Sequence, residues 1–440
     1  MARSSTVTLF VQLVKRVPER IIAGAVAKRQ TDYRSKGVRH ADAFFSLLFH
    51  QMSGSTSLRD TVLGMESCRD NGYEQHSGFQ IVKRSTLAYV NEHRSYKVYE
   101  DIYHALYGLY APMLGGRLSS KKFGKPVYSV DSTTITLCLS AYKWAHYSHS
   151  KGAIKLHTML NNDSLLPEVI VATDGKVADI TAARELMKFP AGSIIVMDRG
   201  YNDYKLFANL TNDNVVFVTR LKDNAVHTNM AKGVRAVDAD GKWGDYQVQF
   251  TAKNALATGR VEYRVVQWYD EDSQRWFEFL TNDQDLEPEE IAQLYRDRWQ
   301  IELFFKKVKQ NLKIKDFLGT SYNAVMSQVW CAAIAILLLE VLRLQSEYPW
   351  SFSNLVHNLR LNLLSFRLIE DWLNTPDEAV TPVSIQRNRN CFLQGDSLDS
   401  IAHILASSTL RSTVLPTSHR IFPPRGKGGS FALFRPVLDP

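Results

Sequence analysis

The chain has 440 residues, 45% of them hydrophobic and 22% charged, the composition of an ordinary globular protein of two or three domains. Its net charge of +8 and pI near 9.1 suit a polyanionic partner, nucleic acid ahead of an anionic membrane. The four cysteines, Cys68, Cys138, Cys331 and Cys391, form no CxxC pair, which argues against a disulfide framework or structural zinc and for a reducing compartment.

In chain order, residues 1–115 read as a helical N-terminal domain. "MARSSTVTLF" lacks a basic stretch followed by a long apolar run, so no secretory signal is read. "LFVQLVKRVPERIIAGAVAKR" and "HADAFFSLLFHQM" carry apolar residues at helical spacing. Residues 1–60 hold ten Lys/Arg against four Asp/Glu, so part of the positive excess sits here. "SLRDTVLGM" opens with Ser57 and has Asp60 three residues on, a capping-box pattern. In "KRSTLAYVNEHR", Ser85 is the expected cap, with Lys83 and Arg84 at the helix mouth. Two short helices, the second basic, fit either a helix-turn-helix reader that places Lys83 and Arg84 on DNA, or a plain bundle with solvated cations.

Residues 116–220 change to mixed α/β character. "KPVYSVDSTTITLCLS", "GAIKLHTML" and "LLPEVIVAT" read as strands of an antiparallel meander. "DITAARELMKF" reads as a short helix, and "GSIIVMDRGYND" as a buried strand ending at Asp198. "YNDYKLFANL" and "NVVFVTRL" supply a further helix and strand. The later strands are expected to join through helical crossovers.

Residues 221–282 form a second β-rich block. Its "GRVEYRVVQWYDEDSQRWFEFLTND" alternates on both sides of a polar turn, which predicts a hairpin. Residues 283–345 return to helix, and "VWCAAIAILLLEVL" (329–342) is too short an apolar run to span a bilayer and contains Glu340, so it reads as a core helix. Residues 346–440 read as further helices and a basic, Pro/Gly-rich tail.

"YRDRWQIELFFKKVKQNLKI" (295–314) reads as one helix. At about 100° per residue, Tyr295, Arg298, Glu302 and Lys309 fall within a stripe about 60° wide. Leu294, Ile301, Phe304, Phe305, Val308 and Leu312 form an apolar stripe beside it. Alone, such a helix is an amphipathic surface helix with an Arg298–Glu302 ion pair of a few tenths of a kcal/mol. The context is two carboxylates at apolar strands, Asp131 in "VYSVD" and Asp198 in "IIVMD". A carboxylate among buried β-residues is costly unless it is paired, hydrogen-bonded or bound to a metal. If the two strands are neighbours, Asp131, Asp198 and Glu302 converge. Three carboxylates without a His/Cys set favour Mg²⁺ or Mn²⁺, and two such ions serve phosphodiester chemistry. Arg298 and Lys309 are then candidate phosphate clamps. Lys155 and His157 share one face of their strand and, with Lys151, are candidate phosphate contacts or plain solvated side chains.

These motifs resemble those of DDE transposases of the insertion-sequence-four family. Tyr-x2-Arg-x3-Glu-x6-Lys is matched at Tyr295, Arg298, Glu302 and Lys309, "SVDSTTI" and "MDRGY" look like the first two acidic regions, and "SKGAIKLH" looks like the basic segment after the first. The resemblance covers most of the chain, and its specificity lies in the three acidic motifs. It implies an RNase H-like catalytic core (116–220 and 283–345) interrupted by a β-rich insertion (221–282), with helical N- and C-terminal regions. It further implies that Asp131, Asp198 and Glu302 hold two Mg²⁺ ions, with Mn²⁺ as substitute, and that Tyr295, Arg298 and Lys309 position DNA phosphates. By the same resemblance, Trp299 holds a flipped base during hairpin formation, an ordinary core or interface tryptophan being the alternative. The implied activity is cut-and-paste transposition at inverted-repeat ends of double-stranded DNA and into target DNA, by a homodimer in a synaptic complex in the bacterial cytoplasm, with no membrane partner. Two rivals remain: a structure-specific nuclease of the same fold, and a transposase-derived DNA-binding protein without catalysis.

Overall fold

The computed structural model describes residues 5–376, apart from 34, 36, 68, 70–77, 115–121, 139, 146–151 and 313–315. Its first third is helical: α1 (Leu9–Val14), α2 (Glu19–Arg29), α3 (His40–Ser53), α4 (Leu58–Glu66), α5 (Arg84–His93) and α6 (Lys97–Leu114). Ser57 caps α4 as expected, accepting from the Asp60 N–H at 3.1 Å. The return bond of the box is displaced, because Asp60 accepts from Thr56 instead. Ser85 does not cap α5. The chain is still extended at Lys83 and already helical at Arg84, so Ser85 lies inside the first turn. α3, α4 and α5 close around Ala43, Val62, Val82, Leu87 and Val90.

The strands form a single nine-stranded sheet, in the order β3-β2-β1-β4-β5-β9-β8-β7-β6. β1 (Val127–Leu137), β2 (Gly152–Asn161) and β3 (Leu166–Asp174) are the expected antiparallel meander. α7 (Asp179–Glu185) leads to β4 (Ile194–Met197), parallel to β1, and α8 (Tyr204–Asn212) leads to β5 (Val216–Arg220), parallel to β4. All four residues of β4 are buried, as an interior parallel strand covered on both faces requires.

β6 (His227–Val237), β7 (Trp243–Phe250), the short α9 (Lys253–Leu256), β8 (Glu262–Asp270) and β9 (Arg275–Thr281) follow. β8 and β9 make the expected hairpin. β9 also pairs antiparallel with β5, so the block read as an insertion extends the central sheet and forms no separate body.

The remaining helices are α10 (Pro288–Asp297), α11 (Trp299–Asn311), α12 (Tyr322–Gln345), α13 (Phe352–Asn362) and α14 (Ile369–Asn374). α12 is longer than the apolar run suggested. It has 24 residues, enough by length and composition to cross a membrane, but its most apolar window is 100% buried inside the protein. α12 is the central rod of the main core. That core joins Phe10, Phe45, Tyr99 and Leu106 from the N-terminal helices, Ile154 and Leu156 from the sheet, and Leu355 and Trp372 from the C-terminal helices.

Candidate catalytic carboxylate site

Val130 on β1 and Met197 on β4 are register partners in a parallel pair. The next residue on each strand is a carboxylate, Asp131 and Asp198, so the register sets them side by side at one place in the sheet. β1 runs on past Asp131, whereas β4 ends. Asp198 turns the chain into a short 3-10 segment, Arg199–Tyr201, by accepting from the Gly200 N–H at 3.3 Å.

The helical arm closes over this pair. Tyr295 on α10 donates its hydroxyl to Asp198 Oδ1 at 3.3 Å. Arg298 reaches Asp131 Oδ2 at 3.4 Å with one terminal nitrogen and Glu302 Oε1 at 3.0 Å with the other. Lys309 donates to the Thr134 carbonyl of β1 at 3.0 Å. The stretch expected as one helix is two, meeting at Arg298. That residue keeps helical angles (φ −52°, ψ −31°), but the turn tightens to an Ile301 N to Arg298 O bond of 3.1 Å. The expected polar and apolar stripes survive the break: Leu294, Ile301, Phe304, Phe305, Val308 and Leu312 are all buried.

The electrostatics of the cluster are those of crowded carboxylates. Burial pushes the Asp131 pKa up to about 6; the Ser132 N–H and Arg298 oppose this, and the charges of Asp198 and Glu302 add to it. Burial also works against the Arg298 charge, but Tyr295 and the carboxylates of Asp131, Asp198 and Glu302 outweigh it and raise its pKa. One guanidinium therefore faces three carboxylates, and its Nε is buried without a partner.

Among the described residues no three His, Cys, Asp or Glu side chains stand close enough to surround one ion; Arg298 links Asp131 and Glu302 instead. The donor set nevertheless fits a hard divalent cation. It consists only of carboxylate oxygens, and its negative charge exceeds what Arg298 neutralises.

The other candidates fall elsewhere. His157 is wholly buried, with Nε2 2.9 Å from Thr173 Oγ1 and Nδ1 3.5 Å from Asp179. Lys155 pairs with Asp179 at 3.3 Å and donates to the Val177 carbonyl at 3.1 Å. The two do share a face, the one opposite Asp131. His157 lies opposite Ser132 and Lys155 opposite Thr134, whereas Asp131 lies opposite Thr158, and side chains alternate faces along a strand. Lys151 lies outside the described residues. Lys83 and Arg84 are exposed at the start of α5, within the N-terminal helical cluster. Trp299 follows Arg298 and is 41% exposed, so it is no core tryptophan.

Two features escaped the sequence reading. Ser132 donates its Oγ to Asp179 at 2.7 Å and its N–H to Asp131 at 2.7 Å, which ties α7 to the site. A cleft of about 430 Å³ opens beside Asp198, lined by Arg199, Lys222, Asp223 and Asn224. The available signal for the cleft was that β4 and β5 both end in Asp- or Arg/Lys-bearing turns, "MDRG" and "TRLK".

Residues 122–338 match the family model described as the transposase DDE domain, and residues 5–80 match one described as a domain of unknown function. The chain is 31% identical over 254 residues to a protein of Geobacillus stearothermophilus named as a transposase for insertion sequence element IS5377, covering 58% of this chain and 66% of that one. It is 32% identical over 216 residues to a protein of Sinorhizobium fredii named as transposase y4zB, covering 48% and 59%. A protein of Synechocystis sp. named as a transposase for insertion sequence element IS4SA is 27% identical over 277 residues, covering 61% and 74%. The match thus spans less than two thirds of the length of the first two relatives.

Proposed function

Because the chain belongs with the transposases that carry a DDE domain, we propose that it excises and inserts an insertion sequence by cutting and joining DNA at the element's inverted-repeat ends. The observation that supports this best is the placement of Asp131 and Asp198 on adjoining parallel strands, with Glu302 linked to Asp131 through Arg298.

In this reading Asp131, Asp198 and Glu302 hold two Mg²⁺ ions, for which Mn²⁺ substitutes. When bound, such ions stabilise charge at an in-line phosphoryl transfer and lower the pKa of the attacking water. The chain's own residues do the rest. Arg298, half-buried and already shared between two carboxylates, turns a nitrogen to the scissile phosphate. Tyr295 steadies Asp198 and the adjacent phosphate, and Lys309 anchors the distal end of α11 against β1 while facing the DNA backbone. Water attacks phosphorus and the 3′ oxygen leaves as the hydroxyl. That hydroxyl then attacks the opposite strand, giving a hairpin and releasing the flanking DNA. The hairpin is reopened by water, and the restored 3′-OH attacks target DNA. The exposed Trp299 stacks the base that the hairpin expels, a contact worth about 1–3 kcal/mol. Two copies act in one synaptic complex, since two ends are cut in concert.

The test is incubation with DNA carrying the element's ends and Mg²⁺. Asp131→Ala, Asp198→Ala and Glu302→Ala should each abolish cleavage while end binding persists; full strand transfer by any of them would overturn the assignment. Trp299→Ala should retain nicking and lose hairpin product. Pre-cleaved ends should yield joined products, which a nuclease on the same fold would not make.

A further inference from the structure

Arg298 stands where α10 gives way to α11, and its two terminal nitrogens divide between two carboxylates. One donates to Asp131 Oδ2 at 3.4 Å and the other to Glu302 Oε1 at 3.0 Å. Asp131 Oδ1 is already engaged by the Ser132 N–H at 2.7 Å, so Oδ2 is the oxygen Asp131 has left to offer. An ion held between Asp131 and Glu302 calls on the same side of both carboxylates that the guanidinium now grips.

Charge makes the two occupants rivals. A divalent cation on these oxygens sets two positive charges against a third at close range. Screening is weak there, because the Arg298 side chain is only 11% exposed, against 23% for Asp131 and 33% for Glu302. The arginine is also imperfectly housed: its Nε is buried without a partner, a cost that a different side-chain position relieves. The two carboxylates are what hold it, and whatever takes them releases it.

We propose that Arg298 is an internal counter-cation that competes with the divalent cation for Asp131 and Glu302, so that the DNA-free chain holds its metal weakly. The side chain that the proposed reaction sends to phosphate is then the one that otherwise guards the ligands, and its departure toward DNA opens them to the ion. The proposal rests on the reading of Asp131, Asp198 and Glu302 as the cation-holding set.

The test is calorimetric titration of the full, DNA-free chain with Mn²⁺, comparing Arg298→Met, Arg298→Lys and Asp131→Asn with the parent, and melting each in chelator. Lysine keeps the charge but presents one compact ammonium in place of the two-nitrogen fork, so it separates the bridge from the mere presence of a cation. Asp131→Asn should abolish binding. Arg298→Met should tighten it by about 10-fold, and Arg298→Lys should tighten it by less. Parent-like or weaker binding by Arg298→Met overturns the competition, and loss of binding in Asp131→Asn then leaves the carboxylate site standing. Tighter binding by Arg298→Met with parent-like binding by Arg298→Lys would mean that charge alone opposes the ion, and the bridge would play no part. If Arg298→Met shows no cooperative melt, the Arg298→Lys titration decides by itself. If Asp131→Asn binds like the parent, the site reading falls and takes the proposal with it.

Discussion

His157 has no exposed surface, and burial lowers its pKa to about 4; Asp179 opposes the shift and Lys155 adds to it. In the unfolded chain it titrates near the ordinary value of about 6.5. Between those two values the unfolded state binds the extra proton, so stability falls as pH drops from 6.5 towards 4. At pH 5 this one histidine removes roughly 2 kcal/mol. Urea unfolding at pH 7.5 and pH 5.0 should show that loss, and His157→Gln should reduce it by about the same amount. An identical pH dependence in the variant would mean that His157 is not buried neutral. The sequence placed His157 and Lys155 on a common face, which is correct, because alternation is local. Which face that was depended on pairing with β1, a contact more than twenty residues away in the chain, and no local pattern reports it. Asp131 and Asp198 stood out for the opposite reason: a carboxylate among apolar strand residues is costly unless paired, hydrogen-bonded or metal-bound, and that cost is visible in the sequence itself. Glu302 stood out by its spacing from Tyr295, Arg298 and Lys309.

α11 carries Glu302 at its first turn and is pinned further along by Lys307, which donates to Glu340 of α12 at 2.5 Å; Arg343 donates to the same carboxylate at 2.7 Å. Glu340 is nearly buried, and burial works against its charge, but the two cations outweigh this and lower its pKa. Glu340→Gln should cost roughly 1–3 kcal/mol, since it leaves two partly buried cations short of a counter-charge. The measurement is thermal melting, in which an unchanged midpoint would show the triad to be solvated in solution. The length of α12 was underestimated chiefly at its other end. Polar Asn323, Ser327 and Gln328 look like the end of the apolar run, yet they lie within the helix. Ser327 bonds back to the Asn323 carbonyl at 2.8 Å, and Gln328 bonds the Asp316 carbonyl at 3.0 Å and the Leu318 N–H at 2.9 Å. They continue the helix while fastening the preceding segment to it. The break at Arg298 was equally unreadable, because the residue keeps helical angles through it.

At the scale of the whole molecule, the helices before β1 and those after α11 share one core with the sheet. A boundary near residue 115 follows composition, not packing. Removing residues 1–110 would strip Phe10, Phe45, Tyr99 and Leu106 from around α12 and expose a helix apolar enough for a bilayer, so loss of DNA binding by that deletion would report unfolding. End recognition by the N-terminal region is better tested at its surface. Lys83 and Arg84 are exposed at the mouth of α5 and take part in no ion pair among the described residues. Alanine at both positions should leave the melting temperature unchanged. If both touch backbone phosphates, binding to end-bearing duplexes should weaken, and the slope of log affinity against log salt should flatten by about 2. Equal weakening on unrelated duplexes would assign them to phosphate contact alone, and a larger loss on the element's own ends would assign them to recognition. An unchanged affinity and slope would remove α5 from the DNA interface and direct the search to the cleft beside Asp198, which Arg199 and Lys222 line together with Asp223.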